Sequence, residues 1–398
     1  MINSFASKVI IMLILSVIFT SPARTADDTT GLFTIGFLQL KSDKRYSKKV
    51  SYARYLMQAT GRPFAGAKVA LTEIAFHGKG AGVDFELKRL SGKNAEELLA
   101  LVESALAEGV EHFIADLPAP ELQQLSAGLK GKKLLLYNAS AMENRLRQES
   151  CQANLMHIIP SHAMLMDSLS QYLVFKKWRN VLLLEGPTDN DAAMLEAFLR
   201  SAKRYGLNLV DRRQFVFGNN PRERDKNNIA ILTTGKDYDV VMVIDTDGEF
   251  ARDVPYQTLR PQLTVGTEGL AALAWHWAWE RHGAPQLEKR FEKSAKRPMS
   301  SVDWAAWLAV KIIAEAVQKT KSADFDTIRS FLSGPDFIVD AFKGNPSSFR
   351  PWNNQLRQPV LLATHNWIVE RAPLKGFLHK TNNLDGIGLD ENESNCKF

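Results

Sequence analysis

The chain predicts an α/β protein built as two doubly wound lobes, each a mostly parallel sheet between helices. Three observations carry this. Strand-like apolar runs alternate with amphipathic helical segments through residues 33–137, and the same alternation repeats through 161–265. After a short N-terminal apolar run, about 370 residues remain, more than one core usually serves. The hydrophobic share, 45%, and the charged share, 24%, are those of an ordinary globular chain.

The N-terminus comes first. Lys8 precedes the apolar run 9–19 (VIIMLILSVIF), which falls short of the roughly 20 residues that span a bilayer. Small residues follow at Ser21, Ala23 and Ala26. This layout reads as a cleavable signal peptide over 1–26, cut after Ala23 or Ala26, and places the mature protein in the periplasm. No later apolar run reaches membrane-spanning length.

Residues 33–40 (FTIGFLQL) read as a buried strand, 52–60 as a helix stopped by Gly61-Arg62-Pro63, and 67–73 as a second helix. Strands follow at 83–90, 112–115 and 133–137, with helices at 94–108 and 120–129. The second series has helices at 161–176 and 192–205 and strands at 180–184, 208–217, 240–244 and 263–265. From 270 the pattern becomes helical and aromatic, with helices at 270–281, 286–292, 302–319 and 325–332. Residues 359–364 and 366–372 form a hairpin around His365.

The net charge is +6, and its basic residues are interspersed with acidic ones. That pattern lacks the basic stripe of a nucleic-acid binder. Cys151 and Cys396 are the two cysteines, and in an oxidising compartment they are expected to pair and pin the C-terminal tail. HExxH, GxSxG, Walker A and a strand-linked GxGxxG are all missing, which argues for a binding protein and against an enzyme. His77, His157, His162 and His276 show no metal-ligand spacing, so no metal is expected.

Ligands of open parallel sheets bind beyond the carboxyl ends of the strands. In the first lobe these turns hold Lys41, Arg45 and Tyr46, then Asp116, then Asn138, Ala139 and Ser140. In the second they hold Asp189, Asp245 and Glu268. Five tryptophans cluster in AWHWAWER and VDWAAW, and Trp275, Trp277 and Trp304 are expected to offer flat walls for stacking.

Long strings support a family resemblance. ADLPAPEL at 115–122, LLLYNASA at 134–141, AWHWAWERHGAPQL at 274–287, VDWAAWLAVK at 302–311, SFRPWNNQLRQPVLLAT at 348–364 and APLKGFLH at 372–379 carry it. The chain resembles the type I periplasmic solute-binding proteins of ABC importers, the branched-chain amino acid receptor class. More narrowly it resembles those encoded with pyrroloquinoline quinone (PQQ)-dependent alcohol dehydrogenase systems. The resemblance implies two lobes joined by three crossovers, 31–155 plus 275–345 and 156–274 plus 346–398, closing on ligand by a hinge. It implies an ABC permease as partner, a periplasmic dehydrogenase as a further one, a monomer, and PQQ as a transported ligand rather than a catalytic cofactor. Lys41, Arg45, Lys79, Arg145 and Arg224 are the candidate cations for its three carboxylates, Arg45 foremost. Amino acid receptors of this class carry a Ser/Thr-rich loop after the third strand, where this chain has Asp116-Leu117-Pro118. An amino acid or small organic acid is the alternative ligand, and a non-transport accessory or sensor role the alternative function.

Overall fold

The computed structural model describes residues 31–47, 61–217 and 221–398. The signal peptide expected over 1–26 and the helix expected at 52–60 lie outside these residues.

The first sheet contains β1 (Gly31–Leu40), β2 (Val83–Gly92), β3 (His112–Asp116), β4 (Leu135–Asn138) and β5 (Leu155–His157). All pairs are parallel, in the order β2-β1-β3-β4-β5. The connecting helices are α1 (Phe64–Glu73), α2 (Ala95–Ala107) and α3 (Ala119–Gly128). α2 starts where the Asn94 side chain accepts from the Glu97 amide, and it buries Leu98, Val102 and Ala105 at helical spacing.

The second sheet repeats the plan. α4 (His162–Phe175) leads to β6 (Asn180–Glu185), α5 (Asp189–Tyr205), β7 (Asn208–Gln214), β8 (Val240–Ile244), β9 (Leu263–Gly266) and β10 (Leu270–Leu273). Short helical turns at 221–232 and 251–257 fill the connections around β8. α5 begins in a Thr188–Asp191 capping box and ends at Gly206, whose φ of 67° suits a residue without Cβ. The order β7-β6-β8-β9-β10 reproduces that of the first sheet.

The chain then returns to the first sheet with α6 (Ala284–Ala295), α7 (Ser301–Thr320) and α8 (Phe325–Ser333). The small ribbon of β11 (Val339–Asp340) and β12 (Pro346–Ser347) follows. α7 packs on α1 and β3, and twelve of its thirteen buried residues, all but Asp303, belong to the first core. Finally β13 (Val360–Ala363) and β14 (Ile368–Ala372) add antiparallel strands beside β10. Among the described residues no helix is long and apolar enough to cross a membrane.

The helix expected at 270–281 is absent. Leu-Ala-Ala-Leu favours a helix by propensity, but here it pairs with β9 on one side and β13 on the other, and burial alternates along it. Tertiary pairing overrides local preference.

Three crossovers join the sheets, near 158–161, 274–283 and 348–359. The first leaves the carboxyl end of β5 and the second that of β10. The third enters beside β10's end, because β13 runs antiparallel to it. All three connections between the sheets therefore run at their carboxyl edges.

One buried lysine, Lys343, binds these crossovers. Burial, with the Arg371 charge, pulls its pKa well below the ordinary lysine value. Three acceptors around Nζ oppose that by engaging all three N–H groups of the charged form. The Lys343 ammonium donates to Ala274 O, Gln358 Oε1 and Pro359 O, each at 2.8 Å, and lies 3.8 Å over the Trp304 ring. Gln358 Nε2 in turn donates to Ile158 O at 2.6 Å. Lys343 and Gln358 together thus link all three segments. Replacing it leaves three acceptors buried without donors, so Lys343→Met is expected to lower stability by about 3–5 kcal/mol in urea titration.

Candidate functional site

The order of the first sheet reverses between β1 and β3, which is where ligands of such sheets bind. A polar cluster fills that point. Leu40 ends β1, and Asp43 then caps a one-turn helix over Lys44–Tyr46 by accepting from the Arg45 amide at 2.9 Å. The same carboxylate receives Arg45 Nε at 3.1 Å and Nη2 at 2.7 Å. Arg45 Nη2 also donates to Asp116 Oδ1 at the end of β3, at 3.1 Å, and Nη1 donates to Ser140 Oγ beyond β4, at 3.0 Å. Tyr46 Oη donates to Asp116 Oδ1 at 2.9 Å. Three residues from three strand ends are held by one guanidinium, and Tyr46 joins through Asp116.

Asp43 and Asp116 are buried, whereas the Arg45 side chain keeps 31% of its surface exposed. One Nη1 hydrogen has no acceptor among the described residues, and Asp116 Oδ2 is buried without a donor. Burial pulls the Arg45 pKa down, but Asp116's charge and the Asp43 hydrogen bond more than reverse this, so it stays charged. Burial raises Asp116 against the pull of Arg45. Burial, reinforced by Asp116, also raises Tyr46, which stays a donor. The guanidiniums of Arg45 and Arg62 lie 5.3 and 5.0 Å from the centre of the Tyr46 ring. Asp43 and Asp116 both pair with the Arg45 guanidinium, whereas Arg62 donates to Leu40 O and Lys41 O.

Asn138 and Ala139 support this cluster from beneath. Asn138 Oδ1 accepts from the Ser140 and Ala141 amides, and its Nδ2 donates to His157 Nδ1 at 3.0 Å. His157 Nε2 then donates to Leu146 O at 3.1 Å, which fixes a neutral ring. Ala139 is buried in the first core. These two shape the loop and do not reach into the groove.

The second sheet reverses between β6 and β8, and its turns are occupied by their own structure. Asp191 accepts from Thr188 and from Thr246 N and Oγ1, stapling the two strand ends. Asp245, expected at the ligand site, accepts from the amides of Gly248, Phe250 and Ala251 and so caps its own loop. Asp189 is exposed in the first turn of α5, and Glu268 accepts from the neighbouring Gly269 amide.

Two of the three tryptophans expected to form an aromatic wall are buried. Trp275 and Trp304 are 2% and 0% exposed and stack on each other in the first core, centroids 6.4 Å apart. Their indole N–H groups donate to Glu288 and to Ala341 O. Only Trp277 is exposed, at 45%, and it stacks on His276. A bend at 274 and a turn at 277–278, closed by the Trp279 amide donating to His276 O, break the strand period after β10, so Trp275 and Trp277 do not share a face. Of the candidate cations besides Arg45, Lys41 is exposed and pairs with Glu97 at 3.7 Å, and Lys79 and Arg145 are exposed. Arg224 opens a one-turn helix at 224–227, far in sequence from the cluster. Asp43 and Arg62 were missed by the sequence reading. The Asp-x-Arg spacing after a strand was the available signal for Asp43.

A separate groove of about 310 Å³ runs between residues 278–282 and 367–371. It lies beside the edge strand β14, with β13 and β10 between it and the β9-β8-β6 ends. It holds none of the expected ligand-binding residues.

No protein-family model matches the chain, and no curated protein matches it. Solved structures do match, and they show the fold to be that of the type I periplasmic binding proteins. One is a branched-chain amino acid ABC transporter periplasmic ligand-binding protein from Burkholderia xenovorans. It is 14% identical, covers 91% of this chain and 98% of its own, and has a TM-score of 0.70. A second is an ABC transporter solute-binding protein from R. palustris in complex with benzoate. It is 13% identical, covers 92% and 100%, and has a TM-score of 0.67. A third, from Streptococcus pneumoniae, is a branched-chain amino acid transporter substrate-binding protein in complex with isoleucine. It is 15% identical, covers 85% and 98%, and has a TM-score of 0.63.

Two predictions follow from the site. Trp275→Ala empties a core position and is expected to cost about 3–5 kcal/mol, against roughly 0.5 kcal/mol for exposed Trp277→Ala, by chemical denaturation. Burial holds His157 well below the ordinary histidine range, helped by the Arg147 charge, and burial lowers His162 to about 4. An unfolded histidine takes up its proton near pH 6.5 while these folded ones stay neutral, so stability is complete above that pH and is lost as pH falls below it. The loss assigned to His162 alone is on the order of 3 kcal/mol by pH 4, read by denaturant titrations between pH 7 and 4.

Proposed function

We propose that this protein is a periplasmic solute-binding protein that captures a small polar molecule between its two carboxyl edges and passes it to an ABC permease. The observation that carries the reading is the Arg45–Asp43–Asp116–Tyr46–Ser140 cluster, built in advance at the first sheet's reversal point and keeping a part-exposed guanidinium. Hinge closure would bring the second lobe's β6 and β8 turns over it.

The cluster also bears on the solute. With its guanidinium already paired to two carboxylates, it suits one acceptor group on a neutral, zwitterionic or singly anionic molecule. An amino acid or an aromatic monocarboxylic acid fits better than PQQ. A tricarboxylate needs uncommitted cations and PQQ a flat wall, whereas Arg45 is paired and Trp275 and Trp304 are in the core. Benzoate and isoleucine in the solved neighbours are of the favoured kind.

Titration calorimetry with leucine, benzoate and PQQ tests the reading. Leucine or benzoate is expected to bind, and Arg45→Gln to weaken that binding tenfold or more, since a charge-assisted hydrogen bond contributes about 1.5–3 kcal/mol. Tightest binding by PQQ would restore the polyanion reading. Capture of a periplasmic dehydrogenase with no small-molecule affinity would favour the accessory role.

A further inference from the structure

The three crossovers are not the whole connection between the lobes. After β14 the chain stays on the second lobe, and 384–393 is fastened to it. The Gly388 amide donates to buried Asp167 on α4 at 2.8 Å, and Gln171 donates to Gly386 O at 2.8 Å. Arg200 and Arg204 on α5 both donate to the Glu393 carboxylate, at 2.9 and 3.2 Å. Three residues later the tail is on the first lobe. Gln148 Nε2 donates to Glu393 O at 3.0 Å, the Asn395 amide donates to Gln148 Oε1 at 2.6 Å, and Cys396 is bonded to Cys151, in the segment between β4 and the edge strand β5.

We infer that this tail is a covalent strap across the lobes, limiting how far the groove opens, and that reduction of Cys151–Cys396 releases it. The argument is one of reach. From Glu393, held by α5, to Cys396, held by the first lobe, the chain has three Cα steps, at most about 11 Å when fully extended. A rotation that parts these anchors further must break the disulfide or peel 384–393 from α4 and α5. Peeling would strip Asp167 of the Gly388 amide. Both cysteines are half-buried, within reach of a reductant. A dithiol supplies two electrons and two protons, leaves as its own disulfide, and two thiols remain. This rests on the lobe architecture and not on the identity of the solute.

Two perturbations of the full chain test it. One is reduction with dithiothreitol. The other inserts six Gly/Ser residues between Ser394 and Asn395, which keeps the disulfide and slackens the strap. Small-angle scattering is expected to show a larger maximum dimension in both. Hydrogen exchange at the hinge amides Ile158 and Leu356 should rise at least tenfold, while amides of β3 and β8 stay protected. An unchanged scattering envelope under either perturbation, with faster exchange confined to 388–398, would reduce the bond to a staple of the tail and overturn the strap.

Discussion

A single buried ammonium organises the junction of the two halves. Lys343 has three protons and three acceptors, drawn from the second crossover and the end of the third, and Gln358 extends the chain of bonds to the first. Other bonds reinforce it. Gln355 donates to His157 O and Ile159 O, and receives Arg147 Nε. Polar groups buried this deeply must be fully paired, so the junction tolerates few arrangements. The orientation of the two carboxyl edges, and hence the position of every groove residue, is set here.

The first lobe's site has the same logic on a smaller scale. Arg45 is held at four points, and the entropy of ordering a long side chain is lost on folding instead of on binding. The second lobe's turns are equally ordered, but around their own amides and hydroxyls. The lobes are alike in topology and unlike in what they leave available. The first offers a charged donor, whereas the second offers the surface of closed loops.

Much of this could be read from the sequence, for identifiable reasons. The period-two and period-3.6 patterns located most strands and helices because each element buries one face against a sheet or helix. The strand-end turns were found because parallel sheets present them at one edge, and they included Arg45, Tyr46, Asp116 and Ser140. The paired cysteines followed from their count. Three features depended on distant partners and stayed hidden. Whether 270–273 is helix or strand is decided by β9 and β13. Whether Trp275 and Trp304 line a groove is decided by Glu288, Ala341 and Lys343, which accept their N–H groups or cover a ring. Whether Asp245 meets a solute or caps its own loop depends on backbone geometry that residue type does not reveal.

The central claim is that a solute bound at the first sheet's reversal point draws the second lobe over it. Spin labels at Lys44→Cys and Asp189→Cys, both exposed at opposing strand ends, report that gap by pulsed dipolar spectroscopy. Saturation with leucine or benzoate, whichever titrates, is expected to shift the distance distribution to shorter values and narrow it. An unaltered distribution with solute demonstrably bound would contradict the account.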